Sequence, residues 1–156
     1  MEHSLDISLP QSVHIASDLA SNFEGLELSP YLDCAGFPTI GYGHLLSRKK
    51  FADLSQWEPV SHDRAIELLQ QDLMKAYRSV DRLIRIDLTD NQEAALIDFT
   101  YNVGGGALQS STLRKVINRG DFDEAPRQFR RWIYAGGKKW RGLVRRREAE
   151  AELFMS

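Results

Sequence analysis

Three features of the sequence predict an α+β fold in which one small antiparallel sheet sits among helices. Residues 28–46 combine strand-favouring Tyr31, Phe37, Thr39, Ile40 and Tyr42 with turn-favouring Gly36, Pro38, Gly41 and Gly43. On either side of that stretch apolar residues return at helical spacing. The chain of 156 residues is 42% apolar and 27% charged, the composition of a globular domain long enough to bury a core. We read one domain over residues 1–156. A helix-and-sheet lobe occupies about 12–60, and a long connecting helix with a helical lobe occupies about 61–156.

Residues 1–10 read as a short, weakly structured lead ending at Pro10. From Ser12 to Phe23 the apolar positions Val13, Ile15, Ala16, Leu19, Ala20 and Phe23 mark a first helix, with Gly25 as its stop signal. The strands that follow turn near Asp33-Cys34-Ala35-Gly36 and are too short to stand alone, so helices must cover them. Ser61 is placed to cap a long helix whose buried face carries Ala65, Leu69, Leu73, Ala76, Tyr77, Val80 and Leu83. Thr89-Asp-Asn-Gln92 fits a capping box for a helix that Gly104-Gly-Gly106 ends. Further helices are expected at about 111–119, 122–135 and 142–155, roughly six in all. Gly120 closes the first of these and Gly136-Gly137 the second. Pro126 is tolerated in a first turn capped by Asp123.

The net charge of -2 says little about partners, yet Arg127 to Arg147 contains basic residues and no acidic ones. Arg127, Arg130, Arg131, Lys138, Lys139, Arg141 and Arg145–Arg147, with Trp and Tyr between them, could bind nucleic acid or another polyanion. Part of the cluster could equally pair with Glu148, Glu150 and Glu24. Cys34 is the single cysteine, so no intrachain disulfide forms and the fold needs no oxidising compartment. We expect it to be a buried or half-buried bystander, because no histidine is positioned locally to activate it. His3, His14, His44 and His62 lack ligand spacing with Cys34 or each other, so no metal site is expected. The start Met-Glu-His-Ser-Leu-Asp has no signal-peptide character, and no apolar run is long enough for membrane insertion.

The residues that could do chemistry are Glu24, where the first helix meets the sheet, Asp33 in the hairpin turn, and Thr39 six residues later. Two carboxyls on separate elements can face each other across a cleft. Glycosidic-bond hydrolysis uses that arrangement: one carboxyl protonates the leaving oxygen while the other serves the anomeric carbon from the opposite side. A threonine hydroxyl beside the second carboxyl can hold a water. On spacing alone the pattern is unspecific, since 22 acidic residues supply many such pairs.

Local context makes it specific. Phe23-Glu-Gly-Leu-Glu-Leu-Ser-Pro-Tyr-Leu-Asp33, followed by Pro38-Thr-Ile-Gly-Tyr-Gly-His44, resembles the signature of phage-type lysozymes, the T4-like enzymes of glycoside hydrolase family 24. The likeness continues through Tyr101-Asn-Val-Gly104, Ser111-Thr-Leu113, Gly120-Asp-Phe, Arg131-Trp132, Ala135-Gly-Gly137 and Gly142-Leu-Val-Arg-Arg-Arg-Glu-Ala-Glu150. Covering about residues 12–155, it is strongest toward lambdoid-phage endolysins, apart from Arg141 where those often have Pro.

That resemblance implies a lysozyme-like fold with Glu24 as general acid, Asp33 as second carboxylate and Thr39 helping to place the water. Glu24 would then need a pocket partly desolvated or tuned by neighbours, so that it holds its proton near neutral pH. Inversion at the anomeric carbon, with Asp33 as base, is the outcome implied by the T4-like branch. The resemblance places Leu45, Tyr101, Asn102, Thr112 and Gln128 against substrate, with packing or capping as the alternative for each. His44 and Asp72 are implied as a structural pair. Trp132 and Trp140 could stack on sugar rings, although Trp132 beside Phe129 and Ile133 fits a core equally.

The implied activity is peptidoglycan hydrolysis for host-cell lysis by a monomer. It would be made in the host bacterial cytoplasm, released with the help of a holin and active on the periplasmic wall. Nucleic acid is not the expected partner. A catalytically silent peptidoglycan-binding module, or a muramidase recruited by a phage tail or a secretion system, is the alternative.

Overall fold

The computed structural model describes residues 8–156; most of the expected weakly structured lead, with His3, lies outside them. The first helix, α1, spans Gln11–Ser21. Its last turn tightens, with the amides of Phe23 and Glu24 donating to Ala20 O at 3.0 and 2.9 Å. Asn22, rather than Gly25, is the cap, and its side-chain amide donates to Asp18 O at 3.1 Å. A side chain that can satisfy a terminal carbonyl stops the helix before the glycine is reached.

The sheet is antiparallel in the order β1 (Glu27–Leu32), β2 (Pro38–Gly41), β3 (His44–Leu45). Its register sets Tyr31 opposite Thr39 and Ile40 opposite His44. All of β2 is buried, which anchors the hairpin at its centre. The turn between β1 and β2 falls at Asp33–Gly36, as the sequence predicts.

The second helix, α2, runs His62–Leu83 with Ser61 Oγ accepting from Arg64 N, and α3 runs Asp90–Val103 from a complete Thr89/Gln92 capping box. In α3 every residue from Ala94 to Thr100 is buried, so it forms the central post of the fold. Around it lie α1, α2 and α7 (Arg141–Met155). The first helix packs chiefly on α3 and α2, while the sheet rests on α2. Val13, Ala16 and Ala20 of α1 belong to the main core.

Three stretches differ from expectation. Gly104, at φ +97°, ends α3, but Gly105–Ser110 at once form a further short helix, α4. After α5 (Thr112–Asn118), the expected 122–135 helix is only a 3-10 turn, Phe122–Glu124, and α6, Ala125–Phe129. Pro126 sits in the first turn of α6 as expected, but Asp123 caps neither segment. The remainder is a second antiparallel hairpin, β4 (Tyr134–Ala135) with β5 (Lys138–Lys139). Gly136 and Gly137, at φ +60° and +76°, are its turn rather than a helix stop. Two successive left-handed glycines match the primed turns whose twist suits a hairpin. The described residues thus hold seven α-helices, not six, in an α+β fold.

Candidate active site

Glu24 is fixed through its backbone by α1 and through its side chain by α7. Its Oε1 accepts from Arg146 Nη1 at 2.7 Å, and its side chain is 26% exposed. Oε2 points toward Gly43: a Cβ there would lie 4.0 Å from Glu24 Oε2 and 3.9 Å from Tyr101 Oη. Gly43 also has φ +87°, a conformation costly for other residues. Arg146 is itself gripped side-on by Asp98, with Nε and Nη2 donating to its two oxygens at 2.9 and 2.8 Å. Burial pulls the Arg146 guanidinium down, but the Asp98 bonds and then Glu24 outweigh it and hold it above the ordinary arginine range. The sequence offered Glu24 as one partner for part of the arginine cluster without naming Arg146; it did not signal Asp98, 48 residues from Arg146 and inside an apolar helical run.

Asp33 is held by its own turn. One oxygen, Oδ1, accepts from Ala35 N and Phe37 N, both at 2.9 Å. That arrangement leaves Oδ2 available to a reacting group. Thr39 is buried and its hydroxyl donates to Phe37 O at 2.8 Å, so its lone pairs remain as acceptors. Tyr31 lines a hollow with Glu24, Glu27 and Gly43, and burial, then the charges of Glu27, Asp33 and Glu24, push its phenol upward. The strand register places that phenol's residue directly opposite Thr39. Sequence reasoning missed Tyr31 as a site residue, though it lies two positions before Asp33.

The other expected site residues fall into three hollows. Leu45 and Tyr101 line one with Asp72, Lys75 and Thr100, about 310 Å³ in volume. Tyr101 Oη donates to Tyr42 O at 3.3 Å, and burial, then Glu24 and Asp72, push its phenol upward. Asn102 lines a second, about 410 Å³, with Phe23, Glu24, Trp140 and Arg146. Its Oδ1 accepts from Arg147 Nη2 at 2.7 Å. Thr112 and Gln128 line a third with Arg131, Trp132 and Tyr134. There Thr112 is exposed, while Gln128 is buried with its amide spent on Glu124 (3.0 Å) and Arg131 (3.1 Å).

His44 Nδ1 lies 2.8 Å from Asp72 Oδ2, tying β3 to α2. Asp72→Asn should therefore lower folding stability by about 1.5 kcal/mol, a hydrogen bond to a charged group, and the melting temperature by roughly 5 °C in a calorimetric scan. Cys34, expected to be buried or half-buried, is exposed because the turn presents it to solvent. Trp132 packs edge-on to Phe99 at 5.4 Å and belongs to the core, whereas Trp140 is 48% exposed. The basic stretch divides: Arg146 and Arg147 are buried against Asp98, Glu24 and Glu150, and Arg130 pairs with Glu148 at 2.8 Å. Lys138 and Lys139 stay exposed on the hairpin. Among the described residues, no group of three or more His, Cys, Asp or Glu could hold a metal ion.

A profile of the phage lysozyme family matches residues 21–150. The chain is 40% identical over 141 residues to an endolysin of Bacillus phage B103, covering 89% of this chain and 52% of that protein, so it spans about half that relative's length. Against a SAR-endolysin of bacteriophage PS119 it is 38% identical over 130 residues, covering 83% of this chain and 75% of the other. Its fold superposes on the endolysin from Escherichia coli O157:H7 phage FAHEc1 with a TM-score of 0.80 and 33% identity, over 96% of this chain and 95% of that one.

Proposed function

The chain belongs to the phage lysozyme family of enzymes, and from that premise we propose that it is an endolysin hydrolysing the β-1,4 bond between N-acetylmuramic acid and N-acetylglucosamine. The observation that supports this reading is the pair of carboxyls Glu24 and Asp33, one just before β1 and one just after it, each with one oxygen committed to a fixed donor and the other left over. Glu24 gives its proton to the leaving oxygen from Oε2, the side facing Gly43. Asp33 takes a proton from water through Oδ2. Thr39, having donated to Phe37 O, accepts a hydrogen from that water and turns a water lone pair toward the anomeric carbon.

Inversion follows from Asp33 acting as base rather than nucleophile. This is the T4-like, family 24 reading, with the likeness to lambdoid-phage endolysins. Leu45, Tyr101 and Asn102 line the glycan's path beside Glu24, with Thr112 and Gln128 farther along. The protein works as a monomer without a cofactor. It is made in the host cytoplasm and reaches the periplasmic wall once a holin has opened the membrane. Among the described residues no helix is long and apolar enough to cross a membrane.

Mass analysis of the muropeptides released from purified peptidoglycan tests the reaction. Reducing N-acetylmuramic acid ends are expected; anhydro ends would replace hydrolysis by transglycosylation, and no release would leave a binding module. Thr39→Val should lower turnover roughly tenfold or more by removing the water's acceptor, with Thr39→Ser retaining most of it. Equal rates for all three proteins would remove Thr39 from the mechanism.

A further inference from the structure

Asp98 is a carboxylate with 0% exposure on the central helix, a costly position unless it is fully paired. Both its oxygens are taken by Arg146 in the side-on fork, and the remaining edge of that guanidinium, Nη1, reaches Glu24. Resting on the reading of Glu24 as the acid, we propose that Asp98 is a positioning residue that aims Arg146 at Glu24 and cancels its charge, so that Glu24 keeps its proton at working pH.

The charge count makes the argument. Arg146 contributes one positive charge and Asp98 one negative, so the three groups are neutral when Glu24 is protonated. Without Asp98's charge they are neutral when Glu24 is ionised, and a lone guanidinium 2.7 Å away would draw the proton off. Arg146 then serves as a hydrogen-bond donor that fixes Oε1 without acting as an uncompensated cation.

The other charged or titratable groups around this cluster are Tyr101 on α3, Arg147 and Glu150 on α7, Tyr31 and Glu27 on β1, Asp33 in the turn and Asp72 on α2. His44 on β3 is engaged with Asp72, and His14 and Asp18 of α1 are exposed. All stay in place when Asp98 alone is changed, but the Glu150 carboxyl is held up by burial and then by its hydrogen bond to Asp98 and by Asp98's charge, so Asp98→Asn is read against Asp98→Asn combined with Glu150→Gln, which keeps that position neutral in both.

The test is the pH dependence of kcat on purified peptidoglycan for the parent, Asp98→Asn and Asp98→Ser, with circular dichroism as the check on folding. Asn keeps the shape, while Ser leaves room for water beside Arg146. The expected result is an alkaline limb moved down by roughly one to two pH units. The acid limb should stay in place, KM change little, and activity recover toward the parent's as pH falls. A uniform loss at every pH with both limbs unmoved would overturn the proposal, as would failure of both variants to fold, since either result makes Asp98 a purely structural residue. Glu24→Gln measured alongside separates the two readings. A folded Glu24→Gln with parental turnover removes the acid assignment itself, whereas an essential Glu24 with an unmoved alkaline limb removes only the role of Asp98.

Discussion

Glu24→Gln is expected to lower peptidoglycan turnover by roughly 10²–10⁴-fold while leaving the melting temperature close to the parent's. The amide is nearly the same size as the acid and its oxygen can still accept from Arg146 Nη1, so the contact that orients the side chain survives. Arg146 keeps both bonds to Asp98, which leaves the buried fork paired. What is lost is the transferable proton. Turbidity clearing of wall fragments, with circular dichroism as the control, reads both halves of the expectation. A folded variant clearing at the parental rate would end Glu24's role as the acid. Glu24→Ala is less informative, because it also leaves Arg146 Nη1 without its partner.

The parts of the fold legible in the sequence are those governed by local chemistry. Ser61 and the Thr89/Gln92 box name helix starts because the orphan amides of a first turn are satisfied by residues two or three positions away. The Asp33 turn is legible for the same reason, its bonds reaching only to residues 35 and 37. Failures came where one signal has two meanings. A Gly-Gly pair can stop a helix or turn a hairpin, and whether residues 134–139 continue a helix depends on the two strands finding each other. Gly105 opens α4 although glycine reads as a breaker; α4 lies against α2 there, and a Cβ at Gly105 would meet Ser79 Oγ at 2.9 Å.

The site was half visible. Glu24, Asp33 and Thr39 stand within sixteen residues and carry a recognisable spacing. Asp98 and Tyr31 do not announce themselves. The first works through a partner distant in sequence, and the second reads as an ordinary strand aromatic. Arg146 and Arg147 illustrate the limit of charge patterning: a basic run reads as a solvated face until its counter-charges are located on other elements.

Those counter-charges yield the largest expected effect on stability. Arg147 and Glu150 are both 0% exposed, with Nε and Oε1 2.7 Å apart but not aligned as a hydrogen bond, and Nη2 donating to Oε2 at 3.2 Å. The guanidinium lies 5.1 Å from the Phe99 ring and also donates to Asn102. Burial lowers Arg147 and raises the Glu150 carboxyl, with Asp98 adding to the latter and Arg147 and Arg146 opposing it. Glu150→Ala should therefore cost about 3–5 kcal/mol, because it leaves a cavity and a buried cation with one neutral partner. The melting temperature should fall by roughly 10 °C or more. Replacing both, Arg147→Met with Glu150→Leu, should return stability to within about 1 kcal/mol of the parent, since the pair is imperfectly bonded and Arg147 Nη1 finds no hydrogen-bond partner among the described residues. A double-mutant cycle by urea unfolding measures the coupling directly, and single and double variants equally destabilised would refute it. The double variant also frees Asn102 beside Glu24. Should it fold well yet bind glycan poorly, the buried pair is there to hold Asn102 against substrate, not to hold the fold together.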